Sequence, residues 1–394
     1  MASISSVPPT PSLKVISRWS LAILYLCFVL TGSVTTLLGP ILPWLSSSWG
    51  LDDAQAGQLF SVQFAVSIVG TVLCSVLIPS LGYRIVLALG AGLMAFGVGG
   101  IGAAGKFGGT LLVGCYGFGL GFIIPAMNLL FARLYPARSA AALNLLNFSW
   151  TIGAVAWPFL VAPMLSMNRM PLLLYALASA IAIICAYLLA ARFEGPRDDS
   201  SKKAEGPTWS LAFAGVVLLL ALMFYLYVGI ENGIGGWLAS YAKRNTMPSW
   251  IPYATAPAFF WAALMLGRAS APMLLGIVSE AGLVRAGLVM AIGGSSTLLL
   301  THSMTVIAAA AALAGFGLSS IFPILVAWLS KDLGGAAARI GAVMFVMASV
   351  GGATLPWMVG VTANHWQNLR VGMAVPLMAC VLLLGLQFVR KRSS

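Results

Sequence analysis

The sequence predicts an all-α polytopic membrane protein whose twelve transmembrane helices form two pseudo-symmetric six-helix bundles. Three observations predict it. The first is composition: 60% of the 394 residues are hydrophobic and 8% are charged, where a water-soluble domain carries about a quarter charged residues. The second is an internal repeat. Gly117-Phe118-Gly119-Leu120-Gly121-Phe122-Ile123-Ile124-Pro125 returns 198 residues later as Gly315-Phe316-Gly317-Leu318-Ser319-Ser320-Ile321-Phe322-Pro323, and the same offset takes Gly153 to Gly351 and Pro158 to Pro356. An offset of 197 takes Gly32 to Gly229, Gly39 to Gly236 and Gly70 to Gly267. Gly and Pro mark where membrane helices approach closely or kink, so repeating them repeats an architecture. The third is charge. Of 21 basic residues, Lys106, Arg169, Lys243, Arg244 and Arg370 fall on one face and the remaining 16 (21 − 5) on the other, which by the positive-inside rule puts both termini in the cytoplasm.

The elements follow in order. A cytoplasmic tail, 1–18, leads into an N-terminal bundle, 19–192, with apolar segments near 19–45, 54–79, 85–105, 109–132, 139–165 and 171–191. Each reaches the roughly 20 residues that a helix needs to cross a hydrocarbon core about 30 Å thick. The first is too long for a signal-peptide core and lacks a small-residue cleavage site, so it stays as a span. Residues 193–209, with Glu194, Arg197, Asp198, Asp199, Lys202, Lys203 and Glu205 among Gly and Pro, read as a cytoplasmic linker. The C-terminal bundle, 210–389, repeats the pattern near 210–241, 251–279, 283–301, 304–330, 340–363 and 370–389, and 390–394 form a cytoplasmic tail. Trp19, Trp44, Trp49, Trp209, Trp250 and Trp366 fall near span ends as interface anchors.

Several functions lack residues. The net charge of +12 reports topology and not nucleic-acid binding. There is no phosphate-cradling Walker loop, no His-Glu-x-x-His and no Cys-x-x-Cys, so ATP-driven pumping and zinc chemistry are not expected. Cys27, Cys74, Cys115, Cys185 and Cys380 lie in apolar segments as small hydrophobes, without disulfide or metal. We expect no enzyme and no cofactor.

Of nine acidic residues, Glu231 alone lies inside a span. It sits ten residues below the seventh span's exit near Tyr241, roughly 15 Å and so close to mid-membrane. An intramembrane carboxylate is a functional residue by default, here a proton carrier. The alternative is a structural acid paired with Arg268 or hydrogen-bonded to a neighbouring helix. Glu231-Asn232-Gly233-Ile234-Gly235-Gly236-Trp237 places three glycines in four residues, which disfavours a continuous helix. A broken seventh span with Gly233, Gly235 and Gly236 as a gate is the expectation, and close packing through small residues the alternative.

Gln63, Trp150, Thr151 and Trp261 come out at comparable depth, where hydroxyl-bonding groups and flat aromatic faces suit a neutral polyhydroxylated ligand. Each has a second reading as interhelical glue or packing. Asn128, Asn144 and Asn147, nearer the cytoplasmic end of spans four and five, either bond one another or line the inner vestibule. Arg268 snorkels or latches the inner gate. Arg84, Arg133 and Arg138 flank the turns between spans two and three and between four and five, as solvated positive-inside charge or as gate residues.

In this arrangement the chain resembles the major facilitator superfamily over its whole length. Gly39-Pro40-Ile41-Leu42-Pro43 and Gln55-Ala56-Gly57-Gln58-Leu59-Phe60 look like the first two spans of its fucose, galactose and glucose proton symporter branch. Tyr227-Val228-Gly229-Ile230-Glu231-Asn232, with Gly236-Trp237-Leu238, is similar to that branch's seventh span, where a glutamate is common at the position of Glu231. Asn144-Leu145-Leu146-Asn147-Phe148-Ser149-Trp150 looks like its fifth. The superfamily's loop motif between spans two and three has decayed to Ser75 through Arg84, with Pro79 where an Asp would stand. Ser33, Val34, Thr35 and Thr36 occupy the region where some members carry a first-span acid, which leaves coupling to Glu231 alone. The Pro-Glu-Ser-Pro-Arg signatures of larger sugar porters and the Gly-Pro-rich fifth-span motif of drug antiporters are absent.

The expectation is a secondary transporter for proton-coupled symport of a neutral sugar or similar polyol by alternating access. Glu231 and Asn232 contact substrate, and the chain works as a monomer in a bacterial inner membrane. The rivals are a drug or lipid exporter of the same fold and a non-transporting membrane sensor.

Overall fold

The computed structural model describes residues 17–135, 138–191, 215–333 and 337–393. The linker 193–209 and nearly all of the N-terminal tail lie outside these. Among the described residues the N-terminal bundle comprises α1 (Arg18–Thr35), α2 (Leu38–Trp49), α3 (Asp53–Ile101), α4 (Lys106–Leu134), α5 (Ser139–Ser166) and α6 (Met170–Ala190). The C-terminal bundle comprises α7 (Gly215–Asn245), a short 3-10 turn (Tyr253–Thr255), α8 (Ala256–Leu275), α9 (Glu280–Leu300), α10 (Met304–Leu318), α11 (Ile321–Leu333), α12 (Ala337–His365) and α13 (Leu369–Ser393). α1 with α2 makes the first span and α10 with α11 the tenth. The 49-residue α3 makes two spans, because Gly82 turns the chain back at φ 77°, a conformation that residues with a Cβ rarely adopt. The start of α3 is fixed by a capping box: Asp52 accepts from the Gln55 backbone at 2.7 Å and the Gln55 side chain accepts from the Asp52 backbone.

The expected break in the seventh span is not there. α7 runs unbroken through Gly233, Gly235 and Gly236, and the interruptions fall instead at residues 36–37 and 319–320. The physical reason is packing: a Cβ at Gly235 would stand 2.9 Å from the Trp261 ring, and one at Gly236 would stand 2.7 Å from Phe60. Neighbouring helices hold α7 straight against its low local propensity, and its glycines admit them. Trp49 also departs from its reading as an interface anchor. It is buried and donates from Nε1 to the Ala104 carbonyl at 2.8 Å, whereas Trp19, Trp250 and Trp366 are exposed.

The sequence repeat is a repeat of contacts. A Cβ at Gly153 would collide with the Val29 carbonyl, and one at its counterpart Gly351 with the Tyr225 carbonyl, so α5 rides on α1 as α12 rides on α7. The turns after α5 and α12 each carry one left-handed residue, Asn168 at φ 54° and Gln367 at φ 50°.

Close approaches between the bundles cluster on the face opposite the termini, here the distal face. Arg244 at the end of α7 clasps Asp53 at the start of α3. Ser61 of α3 donates to the Ala353 carbonyl of α12 at 2.7 Å. Phe60 packs on Trp237 with ring centroids 6.5 Å apart, and a Cβ at Gly57 would stand 2.9 Å from Trp357. The molecule is closed on the distal face.

Candidate substrate and coupling site

Glu231 is where the bundle interface changes from packing to chemistry. One helical turn separates it from Tyr227, so both side chains leave the same face of α7. The Tyr227 hydroxyl donates to Glu231 Oε1 at 3.3 Å. Arg268, reaching in from α8, donates from Nη2 to the same oxygen at 3.2 Å and to the Tyr227 hydroxyl at 3.4 Å. The Glu231 side chain is 12% exposed and that of Arg268 29%. Arg268, expected to snorkel or latch the inner gate, turns inward to neutralise the carboxylate, the pairing that the sequence left open. Phe322 of α11 covers the other side of Tyr227 with ring centroids 5.6 Å apart.

The next turn of α7 towards the distal face carries Gly235, against which Trp261 lies. Trp261 meets Trp150 of α5 edge to face, at 5.9 Å and 83°. Trp150 Nε1 donates to Thr35 Oγ1 at 3.3 Å. These two indoles join the bundles immediately above the Glu231–Arg268 pair. Thus Trp150, Trp261 and Glu231, singled out from sequence, are brought to one region.

Others are not. Gln63 is 2% exposed and engaged at both ends of its amide, donating to the Thr35 carbonyl at 3.0 Å and accepting from the Tyr116 hydroxyl at 2.8 Å. It ties α1, α3 and α4 together, the glue reading of that residue. Thr151 is likewise buried and donates to the Asn147 carbonyl of its own helix at 2.9 Å. Asn147 donates to Asn128 Oδ1 at 3.4 Å and to Leu143 O at 2.8 Å, Asn128 donates to Ile124 O, and Asn144 is exposed on the same stretch of α5. Asn232 donates to Val228 O at 2.9 Å. Arg84 caps the end of α6 through the Ala191 carbonyl at 2.7 Å. Arg133 stacks over Tyr83 at 5.7 Å, and Arg138 is exposed before α5.

Two features escaped the sequence reading. Tyr227 was legible as the residue one turn before Glu231, a signal that helical periodicity supplies. The Asp53–Arg244 clasp was not, since nothing in one dimension pairs the ends of spans two and seven.

Residues 24–392 match the Major Facilitator Superfamily. A sodium-dependent glucose transporter 1 from Danio rerio is 23% identical across 89% of this chain, and the chain spans 66% of that relative's length, just under two thirds. Among solved structures, an inward-facing, occupied bacterial homologue of the human lysosomal transporter Spinster is similar at TM-score 0.79 and 16% identity, covering 95% of this chain and 97% of that one. The nucleoside transporter NupG, in a variant form, is similar at 0.77 and 15%, covering 94% and 98%. A variant of the E. coli fucose:proton symporter FucP follows at 0.63 and 18%, covering 95% and 98%. At these identities the likeness is one of fold.

Proposed function

The chain belongs to the Major Facilitator Superfamily, and on that premise we propose that it is a proton-coupled symporter of a sugar or similar polyol, working by alternating access. Its coarser character, a multi-pass membrane transporter, comes with the family. The observation that carries the finer reading is the Tyr227–Glu231–Arg268 cluster immediately below the Trp150–Trp261 pair. An acid at membrane depth gives a proton a place to load, and indole faces give the C–H face of a sugar ring a surface to lie on. Both bundles contribute to the aromatic pair, so a ligand there senses their relative position. Proton and substrate then favour each other's binding through one site, as reciprocal linkage requires. Both termini lie in the cytoplasm in this reading, which puts the closed distal face on the opposite side of the membrane.

The test is uphill uptake by the purified protein in proteoliposomes under an imposed proton gradient, with and without Glu231→Gln. Glu231→Gln keeps the shape and hydrogen-bonding capacity but cannot cycle a proton, so it should abolish accumulation while retaining counterflow. Accumulation by the variant with unchanged pH dependence would remove Glu231 from coupling and favour a uniporter or a sodium-coupled mechanism.

A second reading, export of amphipathic drugs or lipids, draws on a different observation. A cleft of about 1190 Å³ lies between α5, the segment 249–255, α8 and α10, lined by Phe159, Trp250, Phe259 and other mostly apolar residues. Efflux of a hydrophobic dye without any sugar-stimulated proton movement would favour it.

A further inference from the structure

We propose that the substrate presents a carboxylate to Arg268, so that the transported molecule is a sugar acid or a similar hydroxylated carboxylate and not a neutral sugar. The inference rests on the symporter reading above and specifies its substrate class. It starts from charge. Glu231 and Arg268 neutralise each other across 3.2 Å, and the other acids among the described residues, Asp52, Asp53, Glu280 and Asp332, stand at or beside helix ends. The elements packed around this stretch of α7 bring Phe322 from α11, Leu355 from α12 and Pro376 from α13, none of which titrates, and α2 and α10, which also pack on α7, contain no titratable side chain. The local charge balance is therefore set by Glu231, Arg268 and Tyr227 alone.

Loading a proton on Glu231 removes the only negative charge facing Arg268. A guanidinium stays charged throughout the accessible pH range, and a cation left unpaired at membrane depth is costly. A neutral sugar cannot restore the balance, whereas a carboxylate does. The geometry provides for one: Arg268 uses Nη2 for both of its hydrogen bonds, to Glu231 and Tyr227, and among the described residues its Nη1 makes none. A proton on Glu231 releases Nη2 from its ion pair, and Nη1 with Nη2 forms the edge of a guanidinium that grips a carboxylate with two parallel hydrogen bonds. With 29% of its side chain exposed, Arg268 is also the more accessible member of the pair. Proton and carboxylate then enter as a neutral couple: Glu231 exchanges the guanidinium for a proton, and the substrate takes Glu231's place.

Binding and transport of D-glucuronate and D-galacturonate, each compared with D-glucose and D-galactose, test this on the full-length protein. The uronates should bind wild-type protein more tightly as pH falls, by up to tenfold per pH unit, the limiting slope for one linked proton. The neutral sugars should bind more weakly than the uronates throughout. Glu231→Gln, which imitates the protonated acid, should bind the uronates with no pH dependence, and Glu231→Gln with Arg268→Gln, a neutral pair that retains the packing, should lose them. Uronate uptake in proteoliposomes should follow the pH gradient and ignore an imposed potassium diffusion potential, because a carboxylate with one proton carries no net charge. Equal or tighter binding of the neutral sugars, uronate binding without pH dependence in wild type, or no uronate binding at any pH overturns the proposal. If neutral sugars are accumulated in a Glu231-dependent way, this inference falls and the symporter reading stands. If uronates bind as described but no proton gradient accumulates them, the symporter reading falls and the site assignment stands.

Discussion

Arg244 closes the distal face by holding Asp53 with two parallel hydrogen bonds, Nη2 to Oδ1 at 2.6 Å and Nη1 to Oδ2 at 2.8 Å. The residues belong to different bundles and lie 191 positions apart in sequence. With the Arg244 side chain 42% exposed and that of Asp53 13%, the pair is a partly solvated clasp laid over the buried contacts of Phe60, Trp237 and Trp357.

That clasp should bias the conformational equilibrium without creating it. Asp53→Asn or Arg244→Gln removes an ion pair worth at most about 1 kcal/mol at such exposure, roughly a fivefold change in population. A cysteine placed at Ser61 on a cysteine-free background, beneath the clasp, should then be labelled from the distal side up to about fivefold faster. The double variant should add little to either single one. Unchanged labelling would mean that the buried contacts alone hold the face shut.

The paired glycines should be the least replaceable positions of the repeat. Gly153→Ala and Gly351→Ala each drive a methyl into a backbone carbonyl of the neighbouring helix, which should cost about 1–3 kcal/mol or more. Gly293→Ala, with nothing within 4 Å of the new Cβ, should instead be neutral or gain up to about 1 kcal/mol from helix propensity. Thermal unfolding of the three variants in detergent compares them directly.

Trp150 and Gln63 should part company. Gln63→Ala strands the Tyr116 hydroxyl and the Thr35 carbonyl in the bundle interior, a loss of about 1–3 kcal/mol in stability, while substrate binding by the recovered protein stays near wild type. Trp150→Ala should weaken binding more than stability, because its ring is half-buried and faces Trp261 across the interface. Equal effects on binding and stability in both variants would return Trp150 to a packing role.

The charge split has a direct check. Single cysteines in the 193–209 linker and after Arg390 should be labelled only from the cytoplasmic side, since 16 of the 21 basic residues are assigned there. Labelling by an impermeant reagent on intact cells would invert the topology.

The number of spans and the two-fold repeat were legible in the sequence. Each is a one-dimensional quantity: a run of apolar residues, and a glycine offset. The spacing of Gly153 and Gly351 even marked where the bundles repeat their tightest internal contact. The tertiary structure alone decided the rest. It kept α7 continuous, because Phe60 and Trp261 need the room that Gly236 and Gly235 leave. It turned Gln63 into a bridge between α1, α3 and α4, because Tyr116 and Thr35 complete its hydrogen bonds. It set Arg268 against Glu231, 37 residues away, where the sequence left that pairing and a snorkelling cation equally open. Helical periodicity fixes which residues share a face, but which face meets which depends on packing among helices far apart in the chain, and that packing selects the partner of every buried polar group.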